Sequence, residues 1–235
     1  DPSKPFAPDA WTTRRARDIF CYVATRKHRR VPKDVLIEAF WGDEGLDAIE
    51  KNFHPTISHI RKALNSRQAF KQNFIVFRDG AYQLNPEFCY RIDTEEFMDH
   101  ISAAENAKKD KNDTEFRKHL EAAYALYPAD FMEGLYEDWA DEQRNYYREQ
   151  YLRVINGLAK LSVSEKRWAD ALRFANQILA IDPYREDLHR LVIKVLLAQS
   201  KHAAAKKHFE EMKRLLKEEL GIEPPPETKR LFADL

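Results

Sequence analysis

With 235 residues, 43% hydrophobic and 33% charged, the chain has apolar material for two packed domains and enough charge to keep helical outer faces wet. Lys plus Arg and Asp plus Glu each total 39, a net charge of zero that taken alone argues against nucleic acid. The charges are unevenly spread, however: residues 1–91 hold 16 Lys/Arg against 11 Asp/Glu and residues 92–235 hold 23 against 28, so a basic first half can dock on a polyanion.

Pro2, Pro5 and Pro8 predict an extended lead-in. From Trp11 the spacing of Ala16, Ile19, Phe20, Val23 and Ala24 predicts a first helix, with Arg14, Arg15 and Arg17 in its early turns. Val31-Pro32 stops the chain, and Val35, Leu36, Ala39, Phe40 and Trp41 form the stripe of a short second helix ended by Gly42. An acidic loop from Asp43 to Glu50 follows. The third helix sets Phe53, Ile57, Ile60 and Leu64 on one narrow face, with Asn52 as N-cap and Pro55 in its first turn. Its other side presents Lys51, His54, Ser58, His59 and Lys62, with Arg61 on the shoulder. The runs Phe74–Arg78 and Ala81–Leu84 flank Asp79-Gly80, a strong hairpin signal. Three helices and a hairpin make a winged helix-turn-helix.

Residues 92–235 read as almost wholly helical. Asp93 with Glu96 resembles a capping box for a helix to about Lys108, Asp113 opens a second, and the aromatic loop Phe131–Trp139 precedes a long one to about Ser162. Trp168–Ala175 and Ala180–Pro183 fit a tetratricopeptide pattern, with small residues where helices cross (Ala171, Ala175, Ala180, Ala205). Ala171 and Ala205 are 34 residues apart, the period of that repeat. Gly221 ends the last long helix and Pro224–Pro226 stiffens the link to a short terminal one. The predicted fold is therefore mainly α: a winged helix-turn-helix domain over residues 1–91 and a tetratricopeptide-like helical-repeat domain over 92–235.

Catalytic signatures are missing. The six glycines, at 42, 45, 80, 134, 157 and 221, allow no GxGxxG, P-loop or GxSxG, and HExxH does not occur. His54 and His59, and His202 and His208, are five and six apart, so neither shares a helical face as i, i+4 ligands would. We therefore expect no enzyme, no cofactor and no metal. Trp11, Trp41, Trp139 and Trp168 read as core anchors. Cys21 and Cys89 read as buried, reduced thiols of a cytoplasmic protein. No run of about 18 apolar residues suggests a membrane span. The start at Asp1, with neither Met nor a signal-like stretch, reads as part of a longer protein.

Trp11–Asp18, Val35–Gly42 and Ile57–Leu64, with Arg78–Leu84, resemble the three helices and wing of the SARP family of bacterial activators, which join an OmpR-type winged helix to a bacterial transcriptional activator domain. Asp130–Trp139 and Glu218–Thr228 are similar to two signature stretches of that second domain. One departure is that the family carries a small antiparallel sheet ahead of its first helix, where here only about ten Pro-rich residues precede Trp11. The resemblance implies a sequence-specific DNA-binding activator. Lys51, Ser58, His59, Arg61 and Lys62 would face DNA, with His54 and Thr56 as additions. Arg61 would serve as either a guanine contact or a phosphate clamp, Arg78 would sit at the minor groove beside the wing, and Arg14 and Arg15 would touch phosphates. The acidic Asp43, Glu44, Asp47 and Glu50 would be repelled by phosphates and, as in OmpR-type proteins, would meet RNA polymerase. Double-stranded DNA, RNA polymerase and a second copy of the chain are the expected partners, with the helical repeats serving dimerisation, signal reception or polymerase contact. The alternative is a protein-interaction scaffold whose winged helix is a docking module.

Overall fold

The computed structural model describes residues 11–26, 30–65 and 72–231, and the chain divides into two compact units, Asp1–Tyr90 and Arg91–Leu235. The proline-rich lead-in, residues 1–10, lies outside the described residues.

In the first unit, Thr13 opens α1 (Arg14–Ala24): its Oγ1 accepts the Ala16 amide at 3.2 Å, pairing one of the donors that a helix start leaves over. Helix α2 (Lys33–Trp41) buries Leu36 and Trp41 but leaves Val35 exposed. Gly42 keeps a right-handed φ of −52°, so it is not a left-handed stop; a Cβ there would lie 2.7 Å from the Glu38 carbonyl oxygen, and glycine is needed for space.

Helix α3 (Leu46–Asn65) departs most from expectation. It starts well ahead of Asn52, so Asp47 and Glu50 lie on the helix and the acidic loop shrinks to residues 42–45, while Pro55 lies inside the helix. The Gly45 carbonyl accepts the amides of Ala48 and Ile49 at 3.0 and 3.2 Å. Pro55 withholds the amide that would bond to Lys51, a cost of about 3 kcal/mol. Burial of Phe53, Ile57, Ile60 and Leu64, each contributing about 1.5–3 kcal/mol, outweighs it.

Two strands close the hairpin, β2 (Ile75–Arg78) and β3 (Ala81–Leu84), with Ile75 opposite Leu84 and Arg78 opposite Ala81. Asp79 (φ 48°) and Gly80 (φ 79°) are both left-handed, as a two-residue type I′ turn requires. Val31-Pro32, read from sequence as a stop, is a third strand, β1, antiparallel to β3 with Val31 opposite Tyr82. The sheet order is β1-β3-β2, and an edge position tolerates the proline. Phe53 and Tyr82, 5.7 Å apart at their ring centroids, join sheet to α3.

The second unit is a stack of helices: α4 (Asp93–Lys109), α5 (Asp113–Ala125), α6 (Asp138–Ser164), α7 (Trp168–Ile181), α8 (Glu186–Ala198) and α9 (His202–Leu215). They pair as α4–α5, α6–α7 and α8–α9, with α5 against α6 and α7 against α8. The links within pairs share one geometry, a Schellman turn. Amides of Asn112, Arg167 and Lys201 reach back to the carbonyls of Ala107, Ser162 and Leu196 at 2.9, 2.8 and 2.9 Å. Lys111, Lys166 and Ser200 take the left-handed position, at φ 55°, 58° and 58°. Ala171 and Ala205 are fully buried, consistent with close helix approach at the 34-residue period. Ala180 is exposed, off the face set by Ala171, Phe174, Ala175 and Ile178, so it is not a crossing residue.

Several local readings change. No capping box opens α4: Ile92 is its N-cap without a side-chain cap bond, Asp93 Oδ1 accepts the adjacent Thr94 amide, and Glu96 pairs with Arg91. Asn112 caps α5, accepting the Glu115 amide at 3.1 Å. Of the four tryptophans only Trp41 is fully buried. Cys21 and Cys89 are both free, but Cys89 is exposed; burial pushes the Cys21 thiol up to about 11. After α9 the chain makes a π-helical turn, Leu216–Leu220, and Gly221 (φ 68°) ends it before α10 (Pro226–Arg230). No helix among the described residues is long and apolar enough to cross a membrane.

The stretch between α5 and α6 is held by two arginines. Arg144 donates to the carbonyls of Phe131, Met132 and Leu135, and Arg148 makes a two-pronged contact with Asp130, which also accepts the Tyr127 hydroxyl at 2.9 Å. The Arg148 guanidinium holds the Asp130 carboxyl below the usual range.

Candidate nucleic-acid interface

Helix α3 turns one face to the core and leaves the other bare. Lys51, Pro55, Ser58 and Lys62 are all exposed and follow one another at steps of four, three and four residues, which aligns them along about 16 Å of helix. His54 is also exposed, its ring edge-on to Phe53 at 5.5 Å, while His59 and Arg61 are half-buried on the flank. No acidic residue occurs in α3 after Glu50. Among the described residues, none of Lys51, His54, Ser58, His59, Arg61 and Lys62 joins an ion pair, and His59 Nδ1 and Arg61 Nε have no hydrogen-bond partner within the protein. Burial pushes the Tyr82 phenol up, partly countered by the charge of Arg61.

Thr56 does not belong to this face. It is 8% exposed, and its hydroxyl donates to the Asn52 carbonyl at 2.7 Å, back along the helix. Three steps from Phe53 and four from Ile60, it shares their side of the helix, so it cannot reach a base edge.

The hairpin supplies a second surface. Arg78 is half-exposed but leans toward Glu87, Nη2 to Oε1 at 3.4 Å. The turn is gripped by Arg30, which donates to the carbonyls of Arg78 and Asp79 and to Asp79 Oδ2 at 3.0 Å. Phe77, 47% exposed, lies over Tyr82 with centroids 4.7 Å apart. Neither Arg30 nor Phe77 stands out in the sequence. The basic run Arg26–Arg30 hints at the first, but an alternating strand gives no sign that Phe77 is on the open side.

The first-helix arginines are committed within the unit. Arg14 Nε is 3.7 Å from the buried Asp18 carboxylate, which Arg17 also pairs at 2.9 Å. Arg15 bonds Glu44 at 2.7 Å, and its guanidinium lies 5.0 Å from the Trp41 ring centroid. Glu44 is thereby half-buried and paired, whereas Asp43, Asp47 and Glu50 are exposed. Between them Leu46 is 79% exposed, giving the acidic turn an apolar centre.

Residues 92–235 match the model of the bacterial transcriptional activator domain. The regulatory protein AfsR of Streptomyces griseus is 25% identical over 215 residues, which cover 92% of this chain and 21% of AfsR. The transcriptional regulatory protein MoaR1 of Mycobacterium bovis is 20% identical over 228 residues, covering 94% of this chain and 71% of MoaR1. The chain thus spans about a fifth of AfsR and most of MoaR1. A solved structure of Mycobacterium tuberculosis EmbR in complex with a low-affinity phosphopeptide superposes with a TM-score of 0.75 at 19% identity, covering 97% of this chain and 59% of that one, a likeness of fold. A winged helix followed by paired helices, and a family match over most of its length, establish that the chain belongs to the bacterial transcriptional activator domain family.

Proposed function

We propose that this chain is the DNA-binding and helical-repeat part of a sequence-specific transcriptional activator acting in the cytoplasm. The observation that carries the reading is the outer face of α3 from Lys51 onward, which holds no acidic residue and whose Lys51, Arg61 and Lys62 join no ion pair among the described residues. A helix of this kind fits the major groove, where lysines take phosphates and shorter polar groups meet base edges. Lys51 and Lys62, at the two ends of the exposed stripe, take phosphates; Ser58, His59 and Arg61 are the base-reading candidates, with His54 beside them. The wing follows with Arg78 and with Phe77, whose ring can lie against sugar. Arg14 and Arg15 need release from Asp18 and Glu44 to touch phosphate and are secondary.

Asp43, Leu46, Asp47 and Glu50 form the surface we assign to RNA polymerase, acidic enough to stay off DNA and apolar at its centre. The helical unit serves contacts with other proteins, including a second copy of the chain. AfsR and MoaR1, regulatory proteins by name, support the reading. The test is selection of bound sequences from random duplex DNA, followed by titration of the winner and a scrambled duplex at several salt concentrations. Enrichment of one motif with steep salt dependence is expected. No enrichment and salt-independent binding would leave the scaffold reading instead.

A further inference from the structure

No two histidines share a helical face in this sequence, yet the fold makes two histidine pairs between helices. His100 Nδ1 lies 3.0 Å from His119 Nδ1 across α4 and α5, and His189 Nδ1 lies 2.9 Å from His208 Nε2 across α8 and α9. Both occupy the same place in their helix pair, nine residues before the end of the first helix and six after the start of the second. In the middle pair, α6–α7, that place holds Ile155 and Phe174, both buried in the core. A contact that is apolar in the middle of the stack is thus a hydrogen bond between imidazoles in the first and last pairs.

The α8–α9 pair is the one with a defined proton arrangement. His189 is 7% exposed, and its Nε2 donates to the Pro183 carbonyl at 2.9 Å. With its proton on Nε2, Nδ1 is a bare lone pair, and His208 donates its Nε2–H to it. The bond needs that lone pair. A first proton keeps one N–H between the facing nitrogens but places a cation in a half-buried interface, and a second leaves two N–H groups face to face and breaks the contact. We propose that the His189–His208 pair makes the α8–α9 contact a proton-sensitive joint, closed while both rings are neutral and loosened by mild acid.

Neighbouring charges modulate the joint without replacing it. Glu186 and Asp187 on α8 and Glu211 on α9 favour a proton, but each already has a cation: Arg190 at 4.0 Å, Arg185 at 2.9 Å and Lys207 at 3.7 Å. From the adjoining elements, Asp182 at the end of α7 accepts the Tyr184 amide and acts on Arg185, and Lys217, Glu218 and Glu219 after α9 are exposed. Burial outweighs the carboxylates: it holds both rings below the ordinary histidine range, and His208 is lowered further by His189. The sign follows. The open form takes up protons first, so closure weakens as pH falls below about 6.5. Arg190 on α8 also donates to Thr228 Oγ1 at 3.3 Å, so the segment after α9 is tied to α8 across the same joint.

The test is amide hydrogen exchange on the whole chain at pH 7.5 and 5.5, corrected for intrinsic rates, comparing α8–α9 with α6–α7. A variant, His189→Ile with His208→Phe, copies the apolar contact of the middle pair. Acidification should raise the opening constant of α8–α9 relative to α6–α7 by roughly tenfold if one ring stays neutral in the closed form and up to about a hundredfold if both do. In the variant the ratio should not move. A pH-independent ratio in the natural sequence, or an unchanged acid response in the variant, overturns the proposal. Should the variant not fold, ring-proton resonances of the natural sequence decide: at least one ring should remain neutral down through the ordinary histidine range, and both rings charging at or above it refutes the joint.

Discussion

Replacing Lys51 and Lys62 together by alanine should change how salt weakens DNA binding, by an amount the structure allows to be worked out. Both side chains are exposed, lie off the stripe of Phe53, Ile57, Ile60 and Leu64, and join no ion pair within the described residues, so folding stability should stay within about 0.5 kcal/mol. If each lysine neutralises one phosphate, the slope of log affinity against log salt becomes less steep by about 0.9 per residue, or about 1.8 for the pair. Between 50 and 200 mM salt, a fourfold change, that slope corresponds to roughly a twelvefold difference. The variant's defect should therefore be largest at low salt and shrink about twelvefold by 200 mM. It should also be similar on the preferred and scrambled duplexes, because phosphates carry no sequence. Fluorescence anisotropy on both duplexes at three salt concentrations measures this. A natural slope in a folded variant would mean that α3 does not lie along the backbone, and a loss confined to the preferred duplex would make the lysines base readers.

Three further outcomes are expected. Asp43→Lys with Asp47→Lys should reduce transcription in a reconstituted assay while leaving operator affinity within about twofold; Glu44 is left alone because it pairs with Arg15. A collapse of DNA binding would remove the polymerase assignment. Ser200→Gly or Lys166→Gly should stabilise the helical unit by about 0.5–1 kcal/mol, since a left-handed φ strains any residue with a Cβ, and thermal unfolding would read this as a rise of roughly 1–4 °C; a lower midpoint would contradict it. Asp130 contributes stability above the ordinary carboxylate range that is lost as pH falls through its depressed value, so Arg148→Gln should be less stable than the natural sequence at pH 7, with the gap narrowing as pH falls below the ordinary carboxylate range. A gap that persists undiminished in acid would show that Arg148 acts through packing instead.

Some of this molecule is legible locally. Asp79-Gly80 demands two left-handed residues, which few pairs tolerate as easily, and a type I′ hairpin results wherever its flanks can pair. The stripe of Phe53, Ile57, Ile60 and Leu64 identifies the core face of α3, and hence its open face, without any knowledge of what packs there. The start of that helix was not legible in the same way. Proline argues for a first turn on local grounds, whereas the burial of four large side chains outweighs the single hydrogen bond that Pro55 removes.

The hairpin turn and the apolar faces of the helices depend on neighbours within a few turns and can be read along the chain, as can the 34-residue recurrence of Ala171 and Ala205. Other features depend on partners far along the chain and are set only on folding. Val31 becomes a strand because Tyr82 offers it an open ladder, and Arg15 leaves the DNA side because Glu44 and Trp41 stand beside it. Thr56 turns inward because its side of α3 is the buried one, which left it off a face that its neighbours Pro55 and Ser58 share. His189 and His208, 19 residues apart, meet because a three-residue Schellman turn folds α9 back along α8. A hydrogen bond needs its two atoms within about 3 Å, and a separation in sequence says nothing of that distance until the chain between has folded.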